Sequence, residues 1–333
     1  MPTTLICTAS PIGLGVMASE IAKNVTSVDS VFIIDYPNYK IPLEFQNVII
    51  LNRCSLGEQD VFIPQLKQMA YDVNRKFLFI ETSWGLSKHT PKSRNYYIPM
   101  WEQPSWQEES KNCDNFISIT RLGLRVFAAC GIPSRFIPFP IITKPIIEPR
   151  KEIITILHNG GSFGGNFRKG TPEAIQIFQK SNLGKEGVKL LVTSLSTPPA
   201  ELVELANEDP SGIVFDPTMK ENWQENYACA DLLLFPSRIE GHALAILEAA
   251  SFGIPALCSN VAPINEYESD SRFLISTLLD HNGRVKADVP EAAEKLRALR
   301  NLDWEVKSKL VKKTIQDNYS WDALEKIYDE VLK

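Results

Sequence analysis

Two glutamates stand eight positions apart in Ala230–Asn260, ADLLLFPSRIEGHALAILEAASFGIPALCSN: Glu240 and Glu248. On one continuous helix that spacing separates them by about 12 Å. The pattern around them reads strand, Pro236-Ser237 turn, Glu240-Gly241, then a helix from about His242 to Ser251, then Gly253-Ile254-Pro255 and a second strand. Glu240 in the turn and Glu248 inside the helix therefore reach different parts of one ligand. Gly241 lets the backbone approach that ligand closely. The helix start offers unpaired N–H groups at Ala243, Leu244 and Ala245 and the positive end of the helix dipole, which suits a diphosphate or a polar sugar. Glu248, one to two turns in, is placed to accept hydrogen bonds from a diol such as a ribose. Two glutamates at this spacing are common in any chain, and the pair gains meaning only from the strand–turn–helix frame.

A second cluster lies upstream in NGGSFGGNFRKG, residues 159–170. Gly160, Gly161, Gly164 and Gly165 allow the backbone to bend around a ligand, and Arg168 and Lys169 supply charge to offset phosphate. An exposed hairpin tip is the plainer reading of the loop taken alone. A third glycine-bearing segment, TASPIGLGVMASEIA (Thr8–Ala22), carries Gly13 and Gly15 in a G-x-G-x-x-A match to a dinucleotide loop, with Asp35 as a ribose-binding acid. Ala9, Ser10, Pro11 and Ile12 separate Gly13 from the strand, a longer connection than that tight turn uses. Aromatic residues gather in FIETSWGLSKHT and YYIPMWEQPSW, where Trp84, His89, Trp101 and Glu102 are candidates to stack on or polarise an acceptor. The same aromatics equally serve as core and loop anchors.

The elements that must position these groups are short apolar runs alternating with amphipathic segments. TLICTA, SVFIID, NVIIL, KFLFIET and NFISIT read as strands in the first half; EIITILH, KLLVTS, GIVFD, ADLLLFPS and PALCSN repeat the cycle in the second. Buried strands spaced by helices imply parallel sheets covered on both faces. The proline-bearing stretch Phe136–Glu152, with Pro138, Pro140, Pro145 and Pro149, interrupts the pattern as an interdomain linker. A chain of 333 residues, 44% hydrophobic and 23% charged, has apolar material for two cores of about 150 residues each. No stretch approaches the roughly 20 apolar residues that span a bilayer. The six cysteines never fall at C-x-x-C spacing, so a zinc site or disulfide framework is not expected, and a cytoplasmic location is. Cys7, Cys229 and Cys258, in or beside apolar runs, read as small buried hydrophobes. A near-balanced charge, net -5, argues against a large nucleic-acid surface.

With these residues in view, the sequence resembles the retaining GT-B glycosyltransferases, in particular the family 4 group with its E-x7-E motif. The resemblance rests on Lys169-Gly170, ADLLLFPS, EGHALAILEA, the GIP turn and Pro263-Ile264-Asn265-Glu266, and covers roughly Glu152 to Lys333. It implies an α/β fold of two facing Rossmann-like domains: residues 1–147 on the acceptor side, residues 148–318 binding the nucleotide-sugar, and a helix in 319–333 crossing back. It implies that Glu240 contacts the transferred sugar, Glu248 the nucleotide ribose, and Lys169 the diphosphate. The family's second basic residue usually stands near position 163; here Arg168 is the nearest substitute, and its role stays open. Gly13, Gly15 and Gly161 would line the donor site, and His242 occupies a position where an aromatic residue is common, with packing the plainer role. The implied reaction moves a sugar from a UDP- or GDP-type donor to a saccharide, lipid-linked or small-molecule acceptor with retention. With no D-x-D motif, the expectation is a nucleotide-sugar co-substrate, no other cofactor and no metal. Two alternatives stay open: the same chemistry on a modified DNA base, and an NAD-dependent or sugar-nucleotide epimerase-type enzyme.

Overall fold

The structure, a computed structural model, describes residues 1–9, 13–35, 45, 47–81, 85–141, 152–161, 166–194, 196–217 and 224–332. The chain divides into two compact units, Met1–Pro140 with Trp321–Lys333, and Ile141–Ser320. The division at Pro140 falls inside the proline-bearing stretch, most of which (142–151) lies outside the described residues.

The first unit holds a seven-stranded sheet of β1 (Thr3–Ala9), β2 (Val28–Asp35), β3 (Ile49–Ser55), β4 (Lys76–Ile80), β5 (Asn95–Ile98), β6 (Asn115–Ser118) and β7 (Ser134–Phe136). The order is β3-β2-β1-β4-β5-β6-β7 and every pairing is parallel. β2 and β4 are buried almost residue by residue rather than alternately, as strands covered by helices on both faces must be. β5 and β7 carry no separate apolar run of their own. Tyr97, inside the aromatic stretch read as a possible ligand surface, is fully buried on β5 and packs edge-on against Phe116. The helix Trp321–Leu332 belongs to this unit: Thr26 donates to the Asp329 carboxylate at 2.8 Å, Trp321 Nε1 reaches Glu20 at 3.3 Å, and Tyr328 donates to the Pro138 carbonyl at 3.2 Å.

The second unit repeats the plan with six parallel strands: β8 (Thr155–Asn159), β9 (Lys189–Thr193), β10 (Ile213–Asp216), β11 (Leu232–Phe235), β12 (Ala256–Ser259) and β13 (Leu274–Ile275). Their order is β10-β9-β8-β11-β12-β13, with a short antiparallel hairpin of β14 (Thr277–Leu279) and β15 (Val285–Ala287) beside it. Successive strands run outward from β8 in one direction and from β11 in the other, so the order reverses between them. The carboxyl ends of β8 and β11 therefore border the crevice where ligands bind in open α/β sheets. Where the chain enters and leaves this unit, Ile141 N donates to the Tyr319 carbonyl at 2.6 Å, and Ile141 bridges Ser320.

Among the described residues no helix is long and apolar enough to cross a membrane. Cys7, Cys113 and Cys258 are buried, but Cys229 is exposed, because it follows the short helix Gln224–Ala228 and faces outward there.

Candidate functional site

Lys169 and Glu240 meet at the strand-order reversal of the second unit. The chain leaves β8 at Asn159 and passes Gly160 and Gly161, and the next described element is the one-turn helix Asn166–Lys169. Gly161 takes a left-handed backbone (φ 66°), and its carbonyl accepts from Ser194 Oγ at 2.8 Å. Residues 162–165, with Gly164 and Gly165, lie outside the described residues. Gly170 then turns the chain into the helix Thr171–Ser181 with φ 70°, and a Cβ placed there would stand 2.1 Å from the Pro236 carbonyl oxygen. Only glycine permits this corner to press against the turn after β11.

That closeness brings the cations onto Glu240. Lys169 Nζ lies 2.7 Å from Glu240 Oε1, Arg168 Nη1 lies 3.0 Å from Oε2, and Ser237 Oγ lies 2.6 Å from Oε1. Arg168 also donates to the Ile239 carbonyl at 3.0 Å, so its guanidinium reaches the cluster while much of the side chain stays exposed. Glu240 is 5% exposed. Burial alone would raise its carboxyl pKa, but the charges of Lys169 and Arg168 and the bonds from Lys169 and Ser237 outweigh it, and the group sits below its ordinary value.

The helix carrying Glu248 begins at Leu244, two residues later than the sequence suggests, and runs to Ser251. Ala243 adopts a left-handed backbone (φ 58°, ψ 41°), which bars the helix from extending back through His242. The first-turn N–H groups are thus those of Leu244, Ala245 and Ile246, and the last already donates to the Ala243 carbonyl at 3.0 Å. Gly241 is buried in the turn before it. Glu248 accepts from Tyr227 Oη at 2.8 Å. Burial pushes its carboxyl up to about 7, against the opposing influence of the Tyr227 bond and the Lys169 charge. Lys169 therefore acts on both glutamates, which the sequence spacing alone did not reveal.

Two further side chains frame the site. His158, fully buried on β8, donates from Nδ1 to the Leu234 carbonyl of β11 at 2.9 Å, leaving Nε2 to accept from Thr171 Oγ1 at 3.0 Å. Burial holds it down to about 4, so it is neutral near pH 7 and ties β8 and β11 to the helix following Lys169. His242 is likewise buried and held down to about 4, its Nδ1 2.9 Å from Tyr267 Oη. A neutral ring locked edge-on to Tyr267 fits the packing role.

The remaining candidates belong to the first unit. Gly13 and Gly15 occupy the first turn of the helix Gly13–Asn24 rather than the loop before it. The apolar stripe Met17, Ala18, Ile21, Ala22 starts there, and first-turn N–H groups have no intrahelical partner to lose. Asp35, the acid of the dinucleotide reading, ends β2 in a two-pronged pair with Arg53, Nη2 to Oδ1 at 2.6 Å. His89 is partly buried, and its pKa is lowered by burial and then by Lys88 and Lys67. Trp101 packs against the core, and its carbonyl accepts from Trp106 Nε1 at 3.1 Å, while Glu102 sits beside it in the same turn, closed by the Gln103 N–H to the Met100 carbonyl. Trp84 lies outside the described residues. Among the described residues no group of three or more His, Cys, Asp or Glu side chains is arranged to hold a metal ion.

Residues that sequence reasoning missed are Ser237, Tyr227, Asn159 and His158. His158 and Asn159 come from β8, Tyr227 from the helix Gln224–Ala228 and Ser237 from the turn after β11, so the site draws on three places in the chain.

Residues 160–301 match the family profile "Glycosyl transferases group 1". Protein CapJ of Staphylococcus aureus is 32% identical over 108 residues, a match covering 30% of this chain and 27% of CapJ. Among solved structures, Anabaena Alr3699/HepE in complex with UDP and glucose superposes with a TM-score of 0.74 at 14% identity, covering 100% of this chain and 99% of that one. The lipopolysaccharide outer core galactosyltransferase WaaB, in its apo form, gives 0.69 at 14% identity over 100% and 99%. A TarM variant of S. aureus with Fondaparinux, alpha-GlcNAc-glycerol and UDP gives 0.68 at 13% identity over 82% of this chain and 58% of TarM. The chain thus spans about a quarter of its curated relative and just over half of TarM. The two parallel-sheet units and these neighbours establish the fold as GT-B.

Proposed function

We propose that this chain is a glycosyltransferase that moves a sugar from a nucleoside-diphosphate sugar to an acceptor hydroxyl with retention at the anomeric carbon. The observation that carries the reading is the meeting of Lys169, Arg168 and Glu240 at the strand-order reversal, with Glu248 under the influence of the same lysine. The group 1 profile over residues 160–301 and the complexes of HepE and TarM with UDP support a sugar-nucleotide donor, with UDP the first candidate and GDP the second.

In the reaction the anomeric carbon–phosphate oxygen bond breaks and a bond from the acceptor oxygen forms on the same face. The acceptor proton passes to the departing phosphate oxygen. Lys169 and Arg168 meet the negative charge that develops on the diphosphate, the largest electrostatic demand of the step. Glu240 turns its carboxylate to the sugar hydroxyls, and Glu248 accepts from the ribose diol. The two cations supply the charge a metal ion would otherwise bring, so the reaction is proposed to be metal-independent. A saccharide acceptor is favoured, since TarM is bound to Fondaparinux and alpha-GlcNAc-glycerol and WaaB is an outer core galactosyltransferase.

The test is thermal stabilisation and sugar transfer with UDP, GDP, ADP, their sugars and NAD, with and without a chelator. Stabilisation by one nucleoside diphosphate, abolished in Lys169→Ala and in Glu248→Ala, supports the reading. Stabilisation by NAD alone overturns it, and activity lost to the chelator overturns the metal-independent step.

A further inference from the structure

Glu248 is held by a chain of hydrogen bonds that starts at the glycine turn after β8. Asn159 ends β8, and its Oδ1 accepts from the Gly161 N–H at 3.2 Å. The Asn159 side chain also acts on the Tyr227 hydroxyl, favouring its oxygen as an acceptor, and that hydroxyl donates to Glu248 Oε2 at 2.8 Å. The Tyr227 ring is 2% exposed and stacks on Phe252 with centroids 5.9 Å apart and planes 16° from parallel. The hydroxyl is therefore fixed by packing, not by the carboxylate it serves.

Glu248 itself is only partly buried, on the helix Leu244–Ser251. A glutamate side chain in that setting has rotamers to lose when it binds. A carboxylate has about four acceptor positions, so one bond from Tyr227 orients the group without exhausting it. Charge-assisted bonds of this kind are shorter and stronger than neutral ones.

We propose that Asn159 and Tyr227 are positioning residues that aim Glu248 at the ribose hydroxyls and so set the discrimination between ribo- and 2′-deoxyribonucleoside diphosphates. The inference rests on the donor reading given above. It adds that the glycine turn meeting the diphosphate and the acid meeting the ribose are one connected device. Its signature is a ratio of affinities, because damage to packing weakens both nucleotides alike and leaves their ratio unchanged.

The experiment is calorimetric titration of the full chain with UDP and 2′-deoxy-UDP, and with GDP and 2′-deoxy-GDP, at pH 8. The variants are Glu248→Gln, Tyr227→Phe and Asn159→Asp. Tyr227→Phe keeps the stacked ring and removes one oxygen. Asn159→Asp keeps Oδ1 for Gly161, while its carboxylate competes with Glu248 for the tyrosine proton; it carries the test alone if Tyr227→Phe does not fold. The expected wild-type preference for the ribonucleotide is about tenfold, the worth of one good bond to a charged group. Glu248→Gln should abolish most of that preference, and Tyr227→Phe and Asn159→Asp should each reduce it at least about threefold. Binding of no nucleoside diphosphate overturns the donor reading and the relay with it. A preference lost in Glu248→Gln but intact in both relay variants overturns the relay alone.

Discussion

At the residue scale the site is a competition for charge around Lys169. It counters the charge of buried Glu240 and partly offsets the rise that burial imposes on the Glu248 carboxyl, while Arg168 shares the first task. Removing it should injure both chemistry and fold: Lys169→Ala is expected to lower kcat by about 10²- to 10³-fold, the usual loss when one charge-stabilising donor goes, and to lower the thermal midpoint by leaving buried Glu240 with Arg168 alone. Steady-state kinetics beside a thermal midpoint separates the two effects. Glu248 gives the site a pH dependence of definite sign. Burial raises its carboxyl from 4.5 to about 7 against the opposing pull of Tyr227 and Lys169, and the ionised form is the one that accepts from a diol. Nucleotide affinity should rise with pH through about 7, and the step should vanish in Glu248→Gln. Folding stability takes the opposite sign. A raised acid pKa means the native state holds the proton more tightly than the unfolded chain. The contribution of Glu248 to unfolding free energy thus declines from about pH 4.5 to about pH 7. Thermal midpoints of wild type and Glu248→Gln across that range should converge at low pH and diverge in favour of glutamine at high pH.

At the element scale the decisive contact is between two turns. Gly170 presses the segment after β8 onto the Pro236 carbonyl after β11, and that approach delivers Lys169 to Glu240. Gly170→Ala must move backbone and also adopt an unfavourable left-handed conformation, costing about 1–2 kcal/mol before any clash is counted. Gly187→Ala supplies the control, because its φ is 88° but nothing stands within 4 Å of the added carbon. Chemical denaturation should show Gly170→Ala losing at least about 2 kcal/mol more than Gly187→Ala. The sequence displayed much of this element plan. Continuous apolar runs such as SVFIID and ADLLLF name their strands, since burial on both faces leaves them no alternation to hide in. β5 and β7 escaped notice because three or four residues beside aromatics and prolines carry no periodic signal. The paired glutamates and Lys169 stood out as candidates through the strand–turn–helix frame and the glycine loop around them, not through spacing alone. Tyr227 and Asn159 did not, for their partnership depends on sheet order joining β8 to β11. The start of the Glu248 helix was misjudged for a related reason, since nothing in the residue type alanine announces the left-handed backbone at Ala243.

At the scale of the whole molecule the two units have different relations to the chain. The second is one continuous stretch, Ile141–Ser320, and the first is assembled from Met1–Pro140 and the helix beginning at Trp321. That helix buries Leu324, Tyr328 and Leu332 within the first unit, worth about 1.5–3 kcal/mol for each side chain fully withdrawn from water. Deleting residues 321–332 should make the first unit readily cleaved in limited proteolysis while UDP still protects the second. Loss of both protections would show that the two units stabilise each other. The pairing of Ile141 with Tyr319 and Ser320 has a consequence for the order of assembly on the ribosome. Residues 321–332 are synthesised after every residue of the second unit, so the earlier-made strands β1–β7 wait for their last helix while the later-made sheet completes itself. A chain of this topology closes neither unit until Tyr319 and Ser320 have been made, the second with those residues and the first with the helix that follows, so strands β1–β7, made earliest, stay longest exposed to chaperones and proteases.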